Sequence, residues 1–244
     1  MRPSKCFLYE TMSRALSEIT SGVGVDVASG NLKNRWMFKT ELYVGIDINE
    51  TRLRSGLKTH PTPDTVAAVA DLRVMDAFPT GAATAVVSTN TLHHIDRTNR
   101  VSVVESLVRM TAPGGVLFCT TPLDTAFPGV LAALERSFDD VKCVYYRNVF
   151  SRAYEELLAP PGRAERGAIA ATKPFRLLAW VVSRLEHLTK NRPAGCTFAF
   201  ILCRRKSSPA SESFSLSHLP RLDERLYDAR RPPPSLVASV RPPG

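Results

Sequence analysis

The sequence predicts a doubly wound α/β fold, an open and mostly parallel sheet with helices on both faces, and three observations carry that reading. The first is a pair of short apolar runs, residues 23–28 (Val-Gly-Val-Asp-Val-Ala) and 42–48 (Leu-Tyr-Val-Gly-Ile-Asp-Ile), of the kind that form buried strands. A turn-plus-helix stretch of roughly 12 residues is expected between them, which makes a βαβ unit. The second is the alternation of strand-like and helix-like segments that continues to about residue 150. The third is Asp47, at the end of the second run and 17 residues beyond Gly30. In an open parallel sheet ligands bind outside the carboxyl ends of the strands, and an acid about 20 residues after a glycine turn hydrogen-bonds ribose hydroxyls. Asp47 stands where a nucleotide-like ligand needs it.

The remaining elements follow in chain order. Phe7, Leu8, Met12, Leu16 and Ile19 recur at helical spacing and predict an N-terminal helix, within residues 1–20, packed on the sheet edge. Residues 66–72 and 84–89 are further β-like runs. Val101, Val103, Val104, Leu107, Val108 and Met110 mark a helix over 97–111, which Pro113-Gly114-Gly115 closes before a strand over 116–120. A helix near 126–138 and a strand over 141–146 come next. The last strand-like run, 196–203, is reached only after an interruption at 151–195. Within it, 175–188 reads as an amphipathic helix with Leu177, Leu178, Val181, Val182, Leu185 and Leu188 on one side. The α/β domain is therefore expected over 21–205, with 151–195 as a helical lid insertion. Residues 206–244, rich in Ser, Pro and Arg, bury too little apolar surface to offset their ordering entropy and predict a disordered tail.

Composition bounds the function class. A chain of 244 residues suits one domain plus appendages. The net charge is +9, of which the stretch from Arg204 onward holds +4, with eight Lys/Arg against four acids. Such a charge permits anionic partners, whether nucleic acid, acidic lipid headgroups or phosphorylated substrates, and selects none of them. The five cysteines (Cys6, Cys119, Cys143, Cys196, Cys203) form neither a CxxC pair nor a metal-ligand spacing, so they read as reduced thiols of a cytoplasmic protein, and no metal is implied. The first residues include Glu10 and no continuous apolar stretch, which argues against a secretory signal. No run approaches the ~18 apolar residues of a membrane span.

The segments VGVDVASGNLKN, VGIDIN, ADLRVMDAFP, VVSTNTLHHI and LVRMTAPGGVLFCTTP, in that order, resemble the class I S-adenosylmethionine-dependent methyltransferases of small-molecule type, over roughly residues 20–122. The resemblance implies a Rossmann-like sheet of seven strands with an antiparallel last strand, a pocket for S-adenosylmethionine across the strand tips, and methyl transfer. In that family the first strand ends in an acid followed by a Gly-x-Gly-x-Gly-like turn. Asp26 matches the acid and Gly30 the central glycine, while Ala28 and Leu32 replace the outer two. Leu32 adds bulk where the turn closes and predicts a reshaped loop. Asp47 matches the ribose-binding acid, with Ile48 beside it, and the helix N-cap falls instead to Asn49. Asp71 matches the residue that accepts a hydrogen bond from the adenine amino group, with Leu72 supplying backbone contact and Asp76 a near neighbour competing for the role.

At the fourth strand relatives commonly carry an acid where this chain has Thr84. Asn90 is expected to line the methyl end of the cofactor site. His93 or His94 is the candidate to accept a proton from a substrate hydroxyl, because imidazole titrates near neutrality, and the competing reading of each histidine is structural. Family members that methylate base amines carry an acid-or-amide-Pro-Pro-aromatic motif here, whereas this chain has Ser-Thr-Asn-Thr-Leu, which argues against nucleic acid read by sequence. The resemblance thus implies a small-molecule, sugar or lipid-linked acceptor, methylated most simply at oxygen. Two alternatives stay open at this point: a non-catalytic binding protein that kept the fold, suggested by the altered glycines and Thr84, and a nicotinamide-dependent oxidoreductase, which needs a Gly-x-Gly-x-x-Gly turn that the chain lacks. The helix at 175–188 has a plain reading, a lid packed on the core, and a sharper one, an interfacial helix making weak peripheral contact with anionic lipid. Oligomeric state is not legible.

Overall fold

The computed structural model describes residues 3–73, 78–146, 149–158, 173–187, 196–206 and 225–228. Eight strands form one sheet: β1 (Val23–Val27), β2 (Leu42–Asp47), β3 (Thr65–Val69), β4 (Ala83–Ser88), β5 (Thr111–Pro122), β6 (Phe138–Tyr146), β7 (Phe198–Lys206) and β8 (Leu226–Asp228), in the order β6-β7-β5-β4-β1-β2-β3-β8. β7 runs antiparallel to both β5 and β6, and the pairings among β1, β2, β3, β4, β5 and β8 are parallel. The helices are α1 (Pro3–Leu16), α2 (Glu50–Thr59), α3 (Arg100–Met110), α4 (Phe127–Glu135), α5 (Val149–Leu158) and α6 (Lys173–His187).

Because side chains alternate across a strand, each parallel strand feeds two cores. Val25, Val27, Val44, Ile46, Val66 and Ala68 face one side with α3 and α4. Tyr43, Ala67, Val69, Ala85 and Val87 face the other, where α1 lays Phe7, Leu8, Met12 and Leu16 against them. The register aligns the carboxyl ends: Val27 opposite Ile46 and Ser88, and Asp47 opposite Val69. Four strand tips therefore open onto one edge of the sheet, between β1 and β4 where the chain order reverses.

Three expectations need correction. The stretch between β1 and β2 holds no α-helix, only a single 3₁₀ turn at Arg35–Met37. Leu32 has left-handed backbone (φ 57°), which a right-handed helix cannot contain. The segment is instead tied down by Arg35, whose Nε donates to Thr65 Oγ1 at 2.7 Å and whose Nη2 meets Asp64 Oδ2 at 2.5 Å. Secondly, the sheet has eight strands rather than seven. Within the segment expected to be a disordered tail, Leu226–Asp228 pairs with β3, and Leu226 and Tyr227 are fully buried there; residues 207–224 and 229–244 lie outside the described residues. An uncovered β3 edge leaves unpaired backbone groups, and three residues with two large apolar side chains suffice to close it. Thirdly, α6 does not turn its apolar stripe to the core: Leu177, Leu178, Val181 and Leu185 are exposed, Val182 is half-buried, and Leu188 lies outside the described residues.

Leu32 itself is fully buried, and the space for it comes from two glycines. A Cβ on Gly45 would lie 2.2 Å from Leu32 Cδ2, and one on Gly56 would lie 2.6 Å from Leu32 Cγ. Gly45→Ala is therefore expected to lower stability by about 1–3 kcal/mol through overpacking. In a Leu32→Ala background the same change should be much less harmful, a coupling that urea unfolding of the four members of the cycle measures directly.

Candidate functional site

The turn after β1 sets the geometry of the strand tips. Ala28, Gly30 and Leu32 all have left-handed backbone, with φ of 60°, 59° and 57°. For alanine and leucine this conformation costs about 1–2 kcal/mol each, so other contacts must hold it. The backbone N–H of Ser29 donates to the Ile46 carbonyl at 2.9 Å, and that of Leu32 donates to the Ser29 carbonyl at 3.1 Å. The Gly30 N–H donates to Asp47 Oδ2 at 2.7 Å. Burying the Leu32 side chain returns roughly 1.5–3 kcal/mol, enough to offset its own strain. The loop thus keeps a left-handed residue at every second position although only one of the three is glycine.

Asp47 joins the two halves of the site. Its Oδ1 accepts the Asn49 N–H at 2.9 Å while Oδ2 holds Gly30, and Asn49 caps α2 by accepting from the Arg52 N–H at 3.0 Å. A carboxylate offers about four acceptor positions, so two backbone bonds leave capacity for a ligand. Asp47 lines a cleft of about 460 Å³ with Val27, Ala28, Ile48, Asp71, Leu72, Asn90 and His94 among its walls. That volume is in the range of sites for nucleotide-sized ligands. Ile48 is 57% exposed and forms an apolar lip on it.

The far wall is the segment after β4. Asn90 has φ 54°, and its N–H donates to Thr120 Oγ1 at 2.7 Å, which pins the tip of β4 to β5. Buried Arg100 holds the rest of the segment: its Nε donates to the Ile95 carbonyl at 2.9 Å and its Nη1 pairs with Asp124. His94 faces the cleft from this wall. His93 does not line the cleft; its ring lies against that of His94, with centroids 3.8 Å apart and planes tilted by 43°, and burial, with His94 and Arg100 nearby, lowers its pKa.

Seven of the residues singled out from sequence meet in this cleft: Ala28, Asp47, Ile48, Asp71, Leu72, Asn90 and His94. Three do not. Asp26 is fully buried beneath the turn, where Oδ2 accepts the Tyr43 hydroxyl at 2.9 Å and Oδ1 accepts from Asn34 Nδ2 at 3.3 Å. Gly30 lies under the Arg52 guanidinium, 2.6 Å from where its Cβ would stand. His93 backs His94 as described. Asp76 lies outside the described residues. Asp71 reaches the cleft already engaged by Arg73, Nη2 to Oδ2 at 2.6 Å, and those Arg73 bonds lower its pKa.

Sequence reading missed the cations. Lys33, Arg52 and Arg73 line the cleft together with Asp47, Asp71 and Asp96, so it is charged on both signs. The signal for Arg52 was present: with Asn49 as the cap, position 52 falls in the first turn of α2 beside the glycine loop. Thr84, by contrast, sits at the other end of the sheet. Its hydroxyl donates to the Ser21 and Val23 carbonyls at 2.9 and 3.1 Å, so this departure from the family pattern does not touch the cleft. Nor does Leu32 plug it, being buried between Gly45 and Gly56.

Residues 19–119, which contain the turn, both acids and the histidine segment, match a family model described as methyltransferase domain. Over these residues the chain is similar to the methyltransferase domain family. Strands β1 to β7 of the sheet carry the order and the antiparallel β7 of the class I S-adenosylmethionine-dependent methyltransferase fold. No curated protein matches the chain by sequence. Among solved structures it is similar to phosphoethanolamine N-methyltransferase 2 of Haemonchus contortus in complex with S-adenosyl-L-methionine (15% identity, TM-score 0.53), over 82% of this chain and 52% of that one. The chain thus spans about half the length of that relative. It is also similar to geranyl diphosphate C-methyltransferase of Streptomyces coelicolor A3(2), at 13% identity and TM-score 0.52 over 81% of each chain. A third similar structure is the [4+2]-cyclase SpnF, at 14% identity and TM-score 0.54 over 81% of this chain and 80% of that one. Identities this low establish a shared fold, and the three proteins are named for different reactions.

The fold places Asp26 so deep that burial raises its pKa from the ordinary 3.8 to about 7, against the lowering effect of its Tyr43 and Asn34 bonds. Between those two values the folded state keeps a proton that the unfolded chain has released, so stability is expected to fall as pH rises from about 4 to 7 and then level off. Asp26→Asn retains an acceptor for Tyr43 without the titration. Thermal melts of both proteins across pH 4–8 should converge toward low pH, with the variant the more stable of the two above pH 7; parallel melting curves would contradict the assignment.

Proposed function

We propose that the cleft at the tips of β1, β2, β3 and β4 binds S-adenosylmethionine and that the protein transfers its methyl group to a small-molecule, sugar or lipid-linked acceptor, most simply at a hydroxyl oxygen. One observation supports this above the others: the left-handed Ala28-Gly30-Leu32 turn survives the loss of two glycines and is latched to Asp47, so the cofactor-sized cleft stays open. When bound, that cofactor supplies an electrophilic sulfonium methyl group.

The residues divide the work along the cleft. Asp47 has acceptor capacity left for ribose hydroxyls, and Ile48 and Leu72 offer apolar contact to a flat base. Asp71 accepts from an exocyclic amine at that end while sharing its carboxylate with Arg73. Lys33 and Arg52, on the glycine-turn side, suit the carboxylate of an amino-acid moiety. Asn90 and His94 stand on the β4 wall, where the acceptor approaches. His94 takes the hydroxyl proton as the new carbon–oxygen bond forms. Displacement at a sulfonium centre asks for no acid on the leaving group, so orientation and exclusion of water supply most of the rate.

Asp26 and Gly30 hold the turn from below, and His93 supports His94 by tilted ring contact. That arrangement favours the enzyme over a degenerate binding module, because of the three altered positions Leu32 and Thr84 stand clear of the cleft and Ala28 adds only a methyl group to its wall. It also disfavours a nicotinamide cofactor, whose pyrophosphate needs the open Gly-x-Gly-x-x-Gly turn.

Isothermal titration separates these readings. S-adenosylhomocysteine is expected to bind tighter than ~100 μM and NADH not at all. Asp47→Asn should weaken binding about 10-fold or more by removing a charged acceptor, whereas Asp26→Asn should leave it within about 3-fold. His94→Ala is expected to spare cofactor affinity and to lower transfer of a labelled methyl group to acceptor fractions about 10²-fold. No heat with either S-adenosylmethionine or its demethylated product would overturn the proposal.

A further inference from the structure

α6 is mounted inside out. On a helical projection its buried side consists of Ala179, Ser183 and Glu186, which are at most 5% exposed, while Leu177, Leu178, Trp180, Val181 and Leu185 are 63%, 40%, 46%, 41% and 38% exposed. Its polar side is held from within. Glu186 Oε1 accepts the Ser151 N–H at 2.8 Å, and the Tyr154 hydroxyl donates to the Phe175 carbonyl at 3.3 Å, so α5 lies antiparallel along it. Arg184 reaches Glu10 of α1. Amphipathic surface helices ordinarily bury the apolar stripe, and reversing that order leaves a contiguous apolar face of a kind that marks an interaction surface.

Two features extend the face. Val149 and Phe150, at the start of α5, are 55% and 42% exposed next to the Glu186 end of α6. On the other flank Trp36, 55% exposed, and Trp180 line one groove over α1. Lys173 and Arg176 are exposed near the start of the helix, while Arg184, which lies over the Trp180 ring at 5.0 Å, is answered by Glu10 of α1, and the helix's own acid, Glu186, is buried on the opposite side. A second copy docked on this helix would meet Lys173 and Arg176 with no exposed acid of its own α6 to answer them.

We infer that α6 is a peripheral docking surface for a membrane rich in anionic lipid, with Leu177, Trp180, Val181 and Leu185 entering the headgroup–acyl boundary and Lys173 and Arg176 meeting the headgroups. No described helix is long and apolar enough to cross a membrane, so the contact is with one leaflet. The inference stands on the exposed face alone and requires neither cofactor nor methyl transfer.

Co-sedimentation of the full chain with vesicles tests it. Vesicles of phosphatidylcholine with about one third phosphatidylglycerol are expected to bind it at least ~10-fold more tightly than pure phosphatidylcholine, and salt should weaken the binding. The double variant Leu177→Ser/Val181→Ser should lose about 10-fold or more in affinity with an unchanged melting temperature, since both side chains are already exposed. Lys173→Glu/Arg176→Glu should lose a similar factor on anionic vesicles only. Failure of the wild-type chain to sediment with either vesicle would overturn the inference. So would equal binding by the serine variant, or a wild-type dimer in light scattering that the serine variant abolishes while vesicles stay unbound.

Discussion

One hydrogen bond organises the cleft: the Gly30 N–H to the Asp47 carboxylate, at 2.7 Å, which ties the turn after β1 to the tip of β2. Left-handed backbone at alanine and leucine persists only where the surroundings over-determine it. Here the partners are the Ile46 carbonyl on Ser29, the carboxylate on Gly30 and the buried side chain of Leu32. The other Asp47 oxygen holds the Asn49 N–H and thereby the first turn of α2, so a single side chain aligns the loop, the strand end and the following helix. The same carboxylate faces the ligand space. Fold and site share it.

The departures from the family pattern then become compensated changes. Bulk gained at position 32 is matched by the missing side chains at Gly45 and Gly56, on the strand and helix that pack over it. Asp26 serves the turn from beneath through Tyr43 and Asn34. Thr84 closes the opposite end of the sheet onto residues 21–23. Each of these residues reads as an anomaly only while its neighbours in space are unknown.

The periphery shows where the domain adapts the common sheet. β8 covers the β3 edge, and α5 and α6, which lie between β6 and β7 in the chain, pack against each other and against α1. The similar solved structures share the central sheet while being named for different reactions. In this chain the added pair exposes an apolar and basic face, the natural place for contact with something other than the cofactor.

Periodicity and turn chemistry made the central sheet legible, because parallel strands buried on both faces must be short apolar runs and because Pro and Gly punctuate them. The acid at the end of β2, the Asn49 cap and most of the cleft wall were legible for the same local reason: strand tips fall at the ends of those runs. What the sequence could not decide were matters of distance and facing. Whether Leu32 blocks the cleft depends on two glycines 13 and 24 residues away, whether Asp26 meets a ligand depends on a tyrosine across the strand pair, and which histidine faces the cleft depends on the set of one short turn. The 3.6-residue pattern of α6 located an apolar stripe without saying which way it points, since amphipathicity specifies two faces and only packing against α1 and α5 chose the polar one for the inside.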